Sequence, residues 1–158
     1  MKLKTLLTLG RTSNLPTVWS NMLAGAVLSG ATFGPAPMLV LLLCGSAFYE
    51  GGMFLNDAFD AEVDARERPG RPIPAGQASR GSVFAIGFGL LGGGLLLLLM
   101  SSLLGLIRPG LAASAAGLGT CAAVLIYNGW HKGHAWSPLV MGACRAGLYL
   151  TADRKSVV

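Results

Sequence analysis

Residues 56–76, NDAFDAEVDARERPGRPIPAG, directly follow a long apolar run and concentrate most of the acidic residues of this chain. Five of the seven acidic residues fall within eleven positions: Asp57, Asp60, Glu62, Asp64 and Glu67. If one helix continues from the apolar run through this stretch, Asn56, Asp60, Asp64 and Asp57 lie at relative angles of about 0°, 40°, 80° and 100°. These four polar side chains therefore share one helix face.

A carboxylate face of this kind predicts a bound cation, because like charges three or four residues apart repel each other. The cluster contains oxygen ligands and neither His nor Cys. Such ligands suit Mg²⁺, which typically takes one or two carboxylates and fills its remaining positions with water and phosphate oxygens. A solvated acidic helix end followed by a loop explains the same spacing equally well. From spacing alone, both interpretations stay open.

Composition predicts that this stretch borders a membrane. The chain is 53% hydrophobic and 12% charged, whereas soluble domains average about 25% charged residues. Apolar segments cover residues 15–33, 36–55, 83–107 and 111–127, and a fifth begins near 136 and runs to about 150. The first four have close to the roughly 17 to 25 residues that a helix needs to cross a bilayer, and helices satisfy their own backbone there. We predict an all-α, multi-pass integral membrane protein: a transmembrane helix bundle of about four complete helices and a partial fifth.

The distribution of Lys and Arg predicts the orientation of the bundle. If the segments alternate in direction, Arg108 lies alone on one side, and the opposite side carries Lys2, Lys4, Arg11, Arg66, Arg68, Arg71, Arg80 and Lys132. The positive-inside rule then places the N-terminus and the acidic stretch in the cytoplasm, at the inner membrane if the protein is bacterial. The net charge of +5 is explained mainly by topology, and no pattern indicates nucleic acid.

The glycines of the third apolar segment bear on packing. Gly87, Gly89 and Gly92 spell G-x-G-x-x-G, but no strand precedes them and no acidic residue follows at the expected distance, so we discard a nucleotide site. Gly89 and Gly93, four residues apart, instead predict a small-residue face on which helices approach closely.

Two polar residues inside apolar segments have two explanations each. Glu50 lies two turns before Asp57, where an ionisable residue at membrane depth is a functional candidate. A hydrogen bond to a neighbouring helix would also account for it. For Asn21, ligand contact and helix-to-helix hydrogen bonding are equally compatible with its position.

Three stretches resemble a known family. The pattern N-D-x-x-D-x-x-x-D at residues 56–64, followed by RPIPAG at 71–76, resembles the first aspartate-rich motif of the UbiA superfamily of membrane prenyltransferases. GRTSNLPTVWSNMLAG at 10–25 is similar to the first helix of that family. YNGWHKGHAWSPLVMGACRAG at 127–147 is similar to the segment after its fourth helix, and is most similar to the EboC-like branch. The resemblance covers residues 1–150.

The resemblance implies a fold and a reaction. The fold is a bundle of nine transmembrane helices around a cavity, with two aspartate-rich motifs that hold Mg²⁺ on the diphosphate of a polyprenyl donor. An aromatic or similar acceptor attacks the allylic cation left by the departing diphosphate. Carried over by position, Asn56, Asp60 and Asp64 are metal ligands, and Asp57 is an adjacent catalytic residue. Mg²⁺ would neutralise the charge that develops on the leaving group.

The resemblance also implies substrate-binding residues. Arg11 and Asn14 match positions at the start of the first helix, and Asn21 lies two turns further on. Arg71 belongs to the matching RPIPAG run, where it either binds the diphosphate or only contributes to the positive-inside signal. The Tyr-x-x-x-Lys motif of the family is approximated, since Lys132 lies one place beyond the expected spacing from Tyr127.

The second aspartate-rich motif of the family has no counterpart in these 158 residues. Residues 1–150 are therefore expected to be the N-terminal half of a UbiA-type domain, and residues 151–158, TADRKSVV, a tail that is truncated or misjoined. We expect a prenyltransferase that is inactive as this chain alone. The competing hypothesis is a membrane transport or binding protein whose acidic cluster holds a divalent cation without catalysis.

Overall fold

The described part of the chain folds into α-helices. A computed structural model describes residues 1–28, 34–107, 110–130 and 136–152, and these ranges contain no strand. Their seven α-helices are α1 (Leu3–Gly10), α2 (Leu15–Leu28), α3 (Pro35–Phe59), α4 (Ala61–Glu67), α5 (Arg80–Leu103), α6 (Gly110–Trp130) and α7 (Ser137–Thr151). A short 3-10 turn at Thr12–Asn14 joins α1 to α2. The predicted all-α fold class is confirmed.

Three described helices are long and apolar enough to cross a membrane: α3, α5 and the Ala112–Trp130 part of α6. They correspond to the predicted segments 36–55, 83–107 and 111–127, although α3 runs on to Phe59. The predicted segment 15–33 is helical as far as Leu28, and its remainder lies outside the described residues. The predicted fifth segment corresponds to α7.

The helices pack as an antiparallel bundle in which α3 contacts α1, α2, α5 and α6. Its most extensive contact is with α5, and α7 packs chiefly against α6 and also against α2. Phe48 and Leu55 of α3 are fully buried in the same cluster as Leu91 and Leu98 of α5. This arrangement leaves α2, α3, α6 and α7 around a common space.

Glycines set the distance between α3 and α5. A Cβ atom on Gly51 would lie 3.0 Å from the carbonyl oxygen of Gly87, and one on Gly87 would lie 2.8 Å from the Leu55 side chain. Only residues without a side chain let the two backbones come this close, which is the packing mode expected of small residues in membrane helices.

The predicted packing face at Gly89 and Gly93 makes no helix contact among the described residues. No atom of the described residues lies within 4 Å of a Cβ built on either glycine, and both are exposed. Contact with α3 selects the face at Gly87, Leu91 and Gly94. Gly89 is rotated by about 200° from Gly87 around the helix, so its face points away from α3.

The acidic stretch is helical but interrupted. Helix α3 ends at Phe59 and α4 begins at Ala61, with Asp60 between them. The Asp60 N–H still donates to the Asn56 carbonyl at 2.9 Å, and the Asp64 N–H donates to the Asp60 carbonyl at 2.8 Å. Helix α4 ends before Pro69, because proline disfavours the helical conformation in the residue before it.

Candidate functional site

A cavity of about 510 Å³ lies among α2, α3, α6 and α7. On α2 and α7 its lining positions recur every three or four residues, so each helix turns one face toward it. Four of the predicted site residues line the cavity, namely Arg11, Asn14, Asn21 and Asn56. The wall also includes polar residues that received no role from the sequence: Thr17, Tyr49, Thr120, Asn128 and Arg145.

Hydrogen bonds between helices hold the asparagines of the cavity wall. The Asn14 side-chain amide donates to the Tyr49 hydroxyl at 3.1 Å, and the Tyr149 hydroxyl donates to the Asn21 side-chain carbonyl at 3.1 Å. Asn21 therefore makes the predicted hydrogen bond between helices. It also faces the cavity, so its position remains compatible with ligand contact.

Asn56 is held at the acidic end of the cavity by a second asparagine. Its side-chain amide donates to the Asn128 side-chain carbonyl at 3.3 Å, and the Asn128 amide donates to the Gly52 carbonyl at 3.3 Å. Asn128 is buried. The two carboxamides thus tie the end of α6 to α3 and fix the direction in which Asn56 points.

The predicted four-residue acidic face divides into two parts. Asn56 lines the cavity, and Asp60, one turn further on, is half-buried. Asp57 and Asp64 are buried and do not line the cavity. The angles of about 0° and 40° for the first pair and 80° to 100° for the second account for this separation.

Arginines of this chain neutralise the second pair. The Arg71 Nη1 atom lies 2.5 Å from Asp57 Oδ1 and 3.7 Å from Asp64 Oδ2. Arg11 Nη2 approaches the same Asp57 oxygen at 3.5 Å. The carboxylate face predicts a bound cation. At Asp57 and Asp64, the positive charge comes from the guanidinium groups of Arg71 and Arg11.

Backbone conformation places Arg11 in this cluster. Its φ of 47° and ψ of 43° lie in the left-handed region. Among the described residues, no other residue except glycine has a positive φ. Such a conformation costs on the order of 1 to 3 kcal/mol. Its N–H caps α1 by donating to the Leu7 and Thr8 carbonyls. The sharp turn directs the side chain from α1 toward Asp57.

Glu50 makes a structural hydrogen bond, which was one of the two explanations for its position. The Thr12 hydroxyl donates to Glu50 Oε1 at 2.8 Å, so the carboxylate bonds the turn between α1 and α2. Glu50 does not line the cavity.

The oxygen ligands of the acidic stretch meet only part of the requirements of a metal site. The described residues contain no group of three or more His, Cys, Asp or Glu placed to hold a metal ion. Asn56 and Asp60 nevertheless present oxygen ligands on one face near the cavity, and Mg²⁺ typically needs one or two carboxylates when phosphate and water complete its shell. Asp64 offers a further carboxylate, and its Oδ2 lies 3.7 Å from Arg71 Nη1. The chemistry of these residues therefore fits a metal that arrives with a phosphorylated ligand.

Some predicted positions lie outside the described residues. They are Lys132 and Arg108. Sequence reasoning assigned no role to Arg145. Its position could have been recognised as a candidate site, because it is a charged residue within an apolar segment.

Comparison with known proteins identifies relatives of this arrangement. The model of the UbiA prenyltransferase family matches residues 15–152. Over 84 residues the chain is 42% identical to the digeranylgeranylglyceryl phosphate synthase of Methanopyrus kandleri, which covers 48% of this chain and 28% of that enzyme. The enzyme of the same name from Ignicoccus hospitalis is 33% identical over 126 residues, covering 80% of this chain and 38% of the relative.

Two further similarities are more distant. The protoheme IX farnesyltransferase of Sulfurisphaera tokodaii is 28% identical over 106 residues, covering 66% of this chain and 33% of that protein. A solved structure of a digeranylgeranylglyceryl phosphate synthase superposes with a TM-score of 0.80 at 22% identity, covering 95% of this chain and 52% of that one. This likeness shows the fold. The chain spans about half the length of the solved structure, and the matched segments span smaller fractions of the three relatives.

Proposed function

The chain belongs to the UbiA prenyltransferase family, and from this we propose that its cavity transfers a polyprenyl group from a prenyl diphosphate to an acceptor in the membrane. The observation that supports this most strongly is the position of Asn56. It lies at the end of a cavity formed by largely apolar helices, one turn from Asp60.

The proposed donor site is the acidic end of the cavity. Asn56, Asp60 and Asp64 would hold Mg²⁺ there, with Asp57 adjacent, and the metal would neutralise charge on the departing diphosphate. Arg11 and Arg71 would add guanidinium contacts to the same group, since these donors match phosphate oxygens. Lys132 is proposed as a further contact on the basis of the family motif.

The proposed prenyl site is the apolar part of the wall. Val18, Phe48 and Leu148 line it and would exclude water from the allylic cation. The Tyr49 ring also lines the cavity, and aromatic faces stabilise cations. In the reaction the donor C1–O bond breaks, the acceptor forms a bond to C1, and the acceptor proton leaves to water or to the released diphosphate.

Two acceptor classes follow from different observations. The sequence resemblance implies an aromatic or similar acceptor. The names of two relatives describe a product with two geranylgeranyl groups on glyceryl phosphate, which favours a glyceryl phosphate that already carries one prenyl group. For the orientation, we propose that the N-terminus and the acidic stretch face the cytoplasm, because the basic residues cluster on that side.

Donor binding is the deciding measurement. The purified chain in detergent is expected to bind a labelled polyprenyl diphosphate in Mg²⁺ and to release it when the metal is chelated. Product formation, measured with the same donor and both acceptor classes, tests the separate expectation that this chain alone does not turn over. Cation flux into vesicles without a donor, combined with no donor binding, would favour a transport protein and contradict the proposal.

A further inference from the structure

Arg145 is a charged, exposed residue in the middle of α7, and it lines the cavity. On α7 it shares the lining face with Met141, Cys144 and Leu148. An ionised residue within a membrane helix is costly, and it is usually retained where it pairs with another group or serves function. An arginine cannot escape this cost by losing its proton, because the guanidinium stays charged in proteins.

No carboxylate of the described residues forms an ion pair with Arg145. The arginines near the acidic stretch differ in this respect: Arg11 and Arg71 pair with Asp57, and Arg80 pairs with Glu62 at 2.8 Å. No hydrogen bond of the Arg145 side chain is found in this part of the chain either. Among the described residues, its charge therefore faces the cavity without an opposite charge beside it.

Arg145 lies deeper in the bundle than the acidic end. Tyr149 is hydrogen-bonded to Asn21, and Arg145 is one turn, about 6 Å, nearer to the start of α7. Asn21 itself is seven residues, or about 10 Å of helix, beyond Asn14. The Tyr149 backbone lies against Gly25, one turn beyond Asn21. Arg145 therefore lies at about the level of Asn21.

Contacts of α6 relate Arg145 to the proposed donor site. Gly147 of α7 packs against Thr120, and Arg145 lies two residues, about 3 Å, nearer to the start of α7. Asn128 lies eight residues, about 12 Å of helix, beyond Thr120 and is bonded to Asn56. Along the bundle, Arg145 and Asn56 are consequently separated by on the order of 10 Å. The cavity therefore has polar groups that could bind ligands at two levels.

We propose that Arg145 binds the anionic group, a phosphate or a carboxylate, of the acceptor. This inference rests on the proposed function, because it assigns the second substrate to the same cavity. The planar fork of a guanidinium matches both anions. Placing the acceptor anion away from the donor diphosphate limits their mutual repulsion and leaves the acceptor nucleophile directed toward the donor C1.

Calorimetric titration of the purified chain in detergent tests the assignment. The anionic probes are para-hydroxybenzoate and a glyceryl phosphate with one prenyl ether. Their neutral counterparts are the methyl ester of the first and the prenylated glycerol without phosphate. Each is titrated into the parent chain, Arg145→Gln, Arg145→Lys and the control Arg66→Gln, which changes an exposed arginine outside the cavity.

We expect Arg145→Gln to weaken binding of an anionic probe by at least about 10-fold, to leave the neutral counterpart unaffected, and to preserve donor binding in Mg²⁺. Arg145→Lys should retain part of the affinity, and Arg66→Gln all of it. Whichever anionic probe shows the loss identifies the acceptor class.

Three results would overturn the inference. They are equal binding of the anionic probes by Arg145→Gln and the parent, an equal loss of donor affinity in that variant, and no binding of either anionic probe by the parent. If donor binding to the parent persists in Mg²⁺ in these cases, the proposed function stands and only the role of Arg145 fails. If the parent does not bind the donor either, the proposed function itself fails.

Discussion

Arg71 donates to Asp57 from fourteen residues further along the chain, at 2.5 Å, and so closes the loop after α4 back onto the end of α3. The Asp57 side chain is 6% exposed and that of Arg71 is 25% exposed. The guanidinium also lies near Asp64. Two buried carboxylates of the acidic stretch therefore share one cation that belongs to the protein. In the proposed function, a diphosphate that contacts Arg71 would compete with Asp57 for it.

The first prediction concerns the strength of this pair. Arg71→Gln leaves Asp57 buried with only the longer contact to Arg11, and we expect it to destabilise the chain more than the double change Arg71→Gln with Asp57→Asn. The coupling free energy should be about 1 to 3 kcal/mol, as for hydrogen bonds to charged groups. It is measured by a double-mutant cycle of unfolding in mixed detergent micelles.

The matched control for that cycle is the pair of Arg80 and Glu62. It has a short contact of 2.8 Å, but the side chains are 42% and 78% exposed. Exposed ion pairs contribute about 0 to 1 kcal/mol. A coupling at Arg71 and Asp57 no larger than that of the control would show that the loop is not held by this contact.

The second prediction separates the members of the acidic stretch by function. Asp60→Asn and Asp64→Asn should each reduce Mg²⁺-dependent affinity for a polyprenyl diphosphate by at least about 10-fold, because each would remove a charged oxygen ligand of the proposed metal site. Glu62→Gln, in the same stretch but exposed, should change the affinity little. Affinity is measured in Mg²⁺ and again after chelation. Full Mg²⁺ dependence in both aspartate variants would contradict the metal assignment.

The sequence predicts the helices better than it predicts the contacts between them. Long apolar segments identify α3, α5 and α6, since a membrane permits few alternatives to a helix. Helical periodicity also groups Asn56 with Asp60. Helical periodicity does not predict the pairing of Arg71 with Asp57. The position of the Arg71 side chain depends on the conformation of a loop that contains three prolines.

Two further features depend on tertiary packing. Arg145 faces a cavity whose walls come from four helices, and its charge alone does not indicate which direction it takes. For the glycines of α5, the sequence offers several candidate faces. Only the contact with α3 distinguishes Gly87 from Gly89.

The third prediction is the orientation of the bundle. After Cys44, Cys121 and Cys144 are replaced, Ala75→Cys in the exposed loop should react with an impermeant maleimide only from the cytoplasmic side. Gly34→Cys is the control, because Gly34 precedes the opposite end of α3 and a Cβ there has no close neighbour. It should react only from the other side. Labelling of Ala75→Cys from outside alone would reverse the topology.

The last prediction concerns the contact between α3 and α5. In Gly51→Ala the new methyl group would meet the Gly87 carbonyl oxygen at 3.0 Å and the Leu91 side chain at 3.1 Å. A backbone oxygen can give way only if the helices separate, so we expect a loss of about 1 to 3 kcal/mol in unfolding free energy. Gly89→Ala is the control, since its methyl group meets no described atom within 4 Å and alanine favours a helix by up to about 1 kcal/mol over glycine. Equal stability of the two variants would mean that α3 and α5 do not cross at Gly51 and Gly87.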